Sequence, residues 1–188
     1  CKAQVDGQDG AKYKSFETKE EATKAFEKGY EHYLKTASSS KAAAGLTPKT
    51  PVGKPIWESL CVDAACSGNP GNMEYRGVYP PTMQEIFRIG PLKKGTNNIG
   101  EFLALVHGLA LLKQKGSSLP IYSDSRNAIG WVKKKKCKTL LERVPENEPI
   151  FDMIERAEKW LKTNTYTTPI LKWETSEWGE IPADFGRK

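Results

Sequence analysis

Apolar positions fall along this chain in short runs whose period changes from one run to the next. Runs at 60–66, 77–79 and 86–89 are separated by Gly-Asn-Pro-Gly and Tyr-Pro-Pro-Thr, turn chemistry that predicts three strands of an antiparallel meander. From 98 to 115 the spacing switches to three and four, through Phe102, Leu105, Leu109 and Leu112, which predicts a helix with one buried face that Gly116 ends. A short strand follows at 121–123. A second helix begins around Ser125 with Ala128, Ile129 and Val132; a third, entered through Asn147 and Pro149, carries Ile150, Ile154, Ala157 and Leu161. Residues 169–173 supply a last strand, and a closing short helix contains Asp184, with Pro182 tolerable only in its first turn. The order βββαβααβα predicts an α/β class: a mixed five-stranded sheet flanked by helices, antiparallel at first and parallel where helices cross over.

Ahead of this block the periodicity lapses. Residues 36–55 are rich in Ser, Ala, Thr, Pro, Lys and Gly and read as a flexible linker. Before it, 11–16 alternates enough for a short strand, and Thr18 with Glu21 forms a capping box ahead of a helix carrying Ala22, Ala25, Phe26 and Tyr30. That makes an incomplete α+β appendage, too small to fold well alone, and divides the chain into 1–35, 36–55 and 56–188. The chain opens at Cys1 without an initiator Met, so upstream residues are expected.

Composition narrows the class. A length of 188 residues is enough to bury a core without disulfides or structural metal. Nothing approaches the run of about 18 apolar residues that spans a bilayer, and the N-terminus lacks signal-peptide order, so a cytoplasmic location without membrane association is expected. Cys1, Cys61, Cys66 and Cys137 show no zinc-site spacing and read as reduced thiols; Cys61 and Cys66 point to opposite faces of one strand. The net charge of +6 lies wholly after residue 35, because 1–35 holds seven Lys and seven acids. That excess favours a polyanionic partner, a solvated basic face being the alternative.

The chemistry rests on four acids: Asp63, Glu101, Asp124 and Asp184. Asp63 and Asp124 sit at polar ends of apolar strand-like runs, where a lone carboxylate is costly to desolvate, and no Lys or Arg lies beside them in sequence. Strand ends are where sites form in such sheets, so these two can converge with Glu101 from the intervening helix and Asp184 from the last one. Carboxylates so close raise each other's pKa and make most sense around a hard divalent cation. Taken singly, Asp124 would also serve as a helix N-cap and Glu101 as a solvated helix residue.

The flanking residues decide between these readings. Val-Asp-Ala-Ala-Cys-Ser-Gly-Asn-Pro-Gly, Gly-Thr-Asn-Asn-Ile-Gly-Glu-Phe-Leu-Ala-Leu, Ile-Tyr-Ser-Asp-Ser and Ile-Pro-Ala-Asp, in this order, closely resemble type 1 ribonuclease H from about residue 56 onward. The resemblance implies a ribonuclease H-like fold that hydrolyses the RNA strand of RNA/DNA hybrids with two Mg²⁺, Mn²⁺ being a possible substitute, leaving 5′-phosphate and 3′-hydroxyl ends. Asp63, Glu101, Asp124 and Asp184 match the metal-binding tetrad, with Asp63 bridging both ions. Where many members carry a loop histidine, this chain reads Trp-Gly-Glu and so resembles a bacterial subgroup in which the glutamate, here Glu180, approaches one metal; an exposed loop carboxylate is the plain alternative. His107, mid-helix among apolar residues, reads as packing, and His32 as surface.

The same resemblance implies the substrate contacts. Gly68, Asn69, Asn97 and Asn98 match positions that read the RNA minor groove, although Asn and Gly suit ordinary turns equally. Thr96 and Thr139 resemble a DNA phosphate pocket and Trp131 the aromatic beside the DNA channel, with core packing as the alternative for Trp131. Residues 133–136, four consecutive lysines, are a plausible backbone contact or a solvated helix end. The first residues, with Tyr13 and Lys14 at duplex-contacting positions, are similar to the second half of a hybrid-binding domain; Tyr13 as plain core is an equal reading. The expectation is a monomeric metal-dependent endonuclease without an obligate protein partner. The alternatives are a noncatalytic hybrid-binding module or another nuclease of the same superfamily.

Overall fold

The computed structural model describes residues 53–186, all within one compact unit, Val52–Lys188. The expected strand at 11–16, the helix after Thr18, Tyr13, Lys14, His32 and most of the linker lie outside the described residues.

Strands β1 (Leu60–Cys66), β2 (Gly71–Tyr79) and β3 (Gln84–Gly95) form the meander, and β4 (Ile121–Ser123) and β5 (Ile170–Lys172) complete one sheet in the order β3-β2-β1-β4-β5. The first three pair antiparallel, while β4 and β5 add parallel to β1 because a helix precedes each. Helix α1 (Asn97–Gln114) crosses from β3 to β4. Helices α2 (Arg126–Lys133) and α3 (Glu148–Thr163) carry the chain from β4 to β5, with a 3₁₀ turn at Pro145–Asn147 between them. A four-residue helix α4 (Thr175–Trp178) follows.

Alternation along β1 divides the interior. Leu60, Val62 and Ala64 face α1 and join Phe102, Leu105, Leu109, Ile150, Ile154 and Leu161 in the main core. Cys61 faces the other way, into a smaller cluster with Val78, Tyr122, Trp173, Ile181 and Ala183. The opposite facing of Cys61 and Cys66 holds: Cys66 packs against the main core, and Cys61, Cys66 and Cys137 are all free thiols. Helix α1 ends as expected at Gly116, whose φ of +60 admits a closing turn in which Gly116 N–H donates to Lys113 and Ser117 N–H to Leu112.

Three expectations need correction. Strand β2 ends at Tyr79 as expected but begins at Gly71, and β3 extends beyond 86–89 at both ends, for β2 alternates Met73 and Tyr75 inward with Glu74 and Arg76, a pattern that polar residues conceal. Pro91 sits inside β3 because β3 is an edge strand, where a missing N–H faces no partner. Asp184 is not helical: the short helix lies at Thr175–Trp178, and Asp184 follows Pro182 in a turn closed by its N–H to the Ile181 carbonyl at 2.8 Å.

Buried polar groups fasten the loops. Asn147, 1% exposed, accepts from Val144 N–H at 2.9 Å and donates to the Glu142 carbonyl at 3.0 Å. Glu158 accepts from Cys137 N–H at 3.0 Å and from Lys136 Nζ at 2.8 Å. Of the lysine run, Lys136 is therefore spent on fixing the end of α2 against α3. His107 stacks on Phe87 at 4.0 Å with burial lowering its pKa, which agrees with a packing role. Among the described residues no helix is long and apolar enough to cross a membrane.

Candidate active site

Three acids arrive at one place from three elements. Asp63 lies within β1, Glu101 in the first turns of α1, and Asp124 directly after β4, which pairs parallel to β1. One carboxylate oxygen from each lies within 4.8 Å of the others. Gly100 permits this approach of α1, since a Cβ there would stand 2.7 Å from Ala64 Cβ.

Each carboxylate is held in its own way. Asn97 Nδ2 donates to Glu101 Oε1 at 2.9 Å, and the Ser125 hydroxyl bonds to Glu101. Ser125 also caps α2, accepting from Ala128 N–H at 3.2 Å, so Asp124 is not the cap. Its Oδ1 is buried without a hydrogen-bond partner among the described residues. An orphaned oxygen beside two further carboxylates is a place for a cation, and an all-oxygen donor set suits a hard divalent ion such as Mg²⁺.

The electrostatics agree. Burial, then the Asp124 charge, with smaller contributions from Glu101 and Asp184, pushes the Asp63 carboxyl up to about 8 against an Ala64 N–H that opposes it. Burial likewise raises Glu101 to about 7, the Ser125 hydroxyl opposing and the Asp124 charge adding. Asp124 is raised by burial despite the Lys172 charge, with Asp184 and Glu180 adding to the rise. Burial and mutual repulsion therefore favour the neutral forms of these acids, and a bound cation would favour the charged ones.

Asp184 and Glu180 stand beside this trio and outside it. Asp184 lines a cavity of about 300 Å³ with Asp63, Cys66, Asn97 and Phe185, and its Oδ2 accepts from Gly186 N–H at 2.7 Å. Glu180 is exposed, in the bend after Gly179. Its charge adds to the rise of the Asp124 carboxyl.

The remaining candidates fall on two sides of the start of α1. Asn97 faces the acids. Asn69, Thr96, Asn98, Trp131 and Thr139 line a separate groove of about 440 Å³ with Lys138 and Leu140. Thr96 is also the α1 cap, its Oγ1 accepting from Ile99 N–H at 3.5 Å, and Trp131 sets its ring edge-on to Phe102, so both residues have packing duties too. Gly68 is exposed in the β1–β2 turn.

Sequence reasoning missed two cations. Lys172, paired with Ser123 across β4 and β5, supplies positive charge to Asp124, and Arg76 is the cross-strand partner of Asp63. Lys172 is far from Asp124 in sequence and Arg76 far from Asp63; only strand register reveals them.

The family model described as RNase H matches residues 58–172. The chain belongs to the RNase H family. That match takes in Asp63, Glu101 and Asp124, and a second family model, described as the ribonuclease H1 N-terminal domain, matches residues 1–26. Among curated relatives, the ribonuclease H of Rhodopirellula baltica is 41% identical over 75 residues, covering 39% of this chain and 46% of that protein. The ribonuclease H of Rippkaea orientalis is 33% identical over 102 residues, covering 52% and 62% respectively. The chain thus spans between about half and three fifths of the length of these two relatives. A solved ribonuclease H1 from the archaeon Halobacterium salinarum is 19% identical with a TM-score of 0.39, covering 63% of this chain and 86% of that one.

Proposed function

We propose that this RNase H family member is a metal-dependent endonuclease that hydrolyses the RNA strand of RNA/DNA hybrids, leaving 5′-phosphate and 3′-hydroxyl ends. The observation that carries the reading is the trio of carboxylate oxygens within 4.8 Å, one residue of which presents a buried oxygen without a partner. Asp63, Glu101, Asp124 and Asp184 would hold Mg²⁺, or Mn²⁺ in its place. Bound there, a pair of such ions supplies an activated water and stabilises the leaving oxygen of a phosphodiester. The chain's own part is to hold those acids in place through Asn97 and Ser125, and to bring Glu180 near Asp124 as the loop acid of a Trp-Gly-Glu subgroup.

The groove of Asn69, Thr96, Asn98, Trp131 and Thr139 supports a hybrid path beside the acids. It offers amides and backbone for 2′-hydroxyls, hydroxyls for phosphate and an aromatic edge for sugars. Gly68 and Asn97 would complete the RNA side. Residues 1–35 would add a partial hybrid-binding domain through Tyr13 and Lys14, joined by a linker at 36–55 to a catalytic domain at 56–188, and the match of 1–26 supports that division. Free Cys61, Cys66 and Cys137 suit a reducing, cytoplasmic setting, where the chain would act as a monomer.

A labelled RNA/DNA hybrid incubated with Mg²⁺, with EDTA, and with an Asp124→Asn variant tests the reading. Cleavage of the RNA strand in the first case alone is expected. Equal cleavage in all three, or none with Mg²⁺, overturns it.

A further inference from the structure

Asp184 reaches the site without a helix to place it. Its turn is closed locally by two hydrogen bonds, Asp184 N–H to the Ile181 carbonyl and Gly186 N–H to Asp184 Oδ2. A turn of this kind fixes its own shape but not its position over the sheet. Burial of Ile181 and Ala183 in the smaller core anchors the chain on either side of Pro182, and one side chain engages the turn at Asp184 itself. Arg76, mid-strand in β2, donates from Nε to the Ala183 carbonyl at 2.8 Å and from Nη2 to the Asp184 carbonyl at 2.5 Å. Its guanidinium lies 4.7 Å from the centre of the Phe185 ring. Three consecutive residues are thus engaged by one planar group.

The register makes the contact consequential. Arg76 stands opposite Asp63 in the β1–β2 ladder, so the strand pairing that sets Asp63 also sets the clamp on Asp184. Arginine presents donors in a fixed fork and a flat face for an aromatic ring, whereas a lysine ammonium is a point charge on a flexible stem. Its remaining nitrogen, Nη1, makes an exposed pair with Glu85 at 3.2 Å, apart from the two groups that take the carbonyls.

We propose that Arg76 is a positioning residue that holds the Asp184 carboxylate in register with Asp63, and so sets how tightly the site takes a divalent cation. The cation-binding part rests on the proposed activity; the clamp itself does not. The test uses the full chain, with Arg76→Met, Arg76→Lys and Glu85→Gln variants. In metal-free protein, hydrogen exchange at the Asp184 and Gly186 amides is expected to speed up in Arg76→Met while β1 amides keep their protection. With hybrid substrate, Arg76→Met is expected to raise the half-activating Mg²⁺ concentration by about tenfold, in the range of lost supporting contacts around metal ligands. The KM for hybrid stays unchanged, Arg76→Lys falls between, and Glu85→Gln leaves the Mg²⁺ requirement alone. In an Asp184→Asn background, Arg76→Met adds nothing to that requirement. Wild-type exchange at 184 and 186 in Arg76→Met overturns the proposal, as does an equal Mg²⁺ shift in Glu85→Gln or a full shift in the Asp184→Asn background. Absence of cleavage by the wild-type protein defeats the proposed activity instead, and the exchange measurement still decides the clamp.

Discussion

The two sets of acids in the proposed site are built by different means. Asp63, Glu101 and Asp124 are placed by regular structure: a strand, a helix start and a strand end whose backbone hydrogen bonds belong to the fold itself. Glu180 and Asp184 lie in irregular chain, and side chains from elsewhere put them in place. Trp173, 2% exposed, donates from Nε1 to the Gly179 carbonyl at 2.9 Å, directly before Glu180, and Arg76 takes the carbonyls of Ala183 and Asp184. The family match covers the first half and stops at residue 172, short of the second. A site half fixed by the sheet and half by clamps can vary the second half without refolding the first.

The largest effect should come from the fixed half. Asp63→Asn is expected to lower hybrid cleavage by roughly a thousandfold, the upper end of what one preorganised electrostatic contact is worth, while leaving the fold intact. A residual rate within tenfold of wild type would place the chemistry elsewhere. Asn97→Ala removes the amide that aims Glu101, and a loss of about tenfold or somewhat more is expected, recovered in part by raised Mg²⁺. An unchanged Mg²⁺ titration would make Asn97 a substrate contact alone.

The clamped half should respond more in geometry than in chemistry. Trp173→Phe keeps an aromatic ring in the smaller core and deletes the bond to Gly179; a stability loss of about 1 kcal/mol is expected, with slower cleavage that a Glu180→Gln background abolishes as a separate effect. Additive losses in the double variant would uncouple Trp173 from Glu180.

The smallest effect is on pH. Asp63 and Glu101 have folded-state values of about 8 and about 7, raised above the ordinary carboxylate range near 4. The folded protein therefore binds more protons than the unfolded chain between those limits. In metal-free protein the stability from this group is full below about pH 4 and is lost as pH rises through 7 and 8. Melting in EDTA should fall by a few degrees, roughly 2–4 °C per kcal/mol, from pH 5.5 to 8.5. Asp124→Asn, which removes one of the raising charges, should flatten that fall, and saturating Mg²⁺ should do the same in the wild type.

How far the sequence spoke depended on whether a feature was local. Strands β1 and β4 lie where their apolar runs are, because both faces of these central strands are covered. Helix ends were legible at Gly116 and at Ser125, where one residue type does one job. The strand-end rule held for Asp124, which directly follows β4, and failed for Asp63, which is the fourth of seven residues in β1; the structure brings Glu101 to both. Glu74 hid the start of β2: it forms an ion pair at 2.5 Å with Arg88 of β3 and is buried, whereas in sequence it looks like a surface residue. Arg76 and Lys172 act through register, which no single strand reveals. The helix expected around Asp184 failed because Arg76 and Gly186 offer its turn better hydrogen bonds than one helical turn would.

Strand β3 is the outermost strand of the sheet on the meander side. Among the described residues no strand pairs with its outer side, although Asn147 Nδ2 donates to the Lys94 carbonyl, and an outer strand edge is a template on which another chain can grow a sheet. Pro91 interrupts the row of donors, and Lys93 and Lys94 place charge where an added strand would need to lie flat. Replacing these three by valine is expected to make the outermost strand more prone to pair with another chain, so resistance to edge pairing resides in residues outside the core and the acid trio.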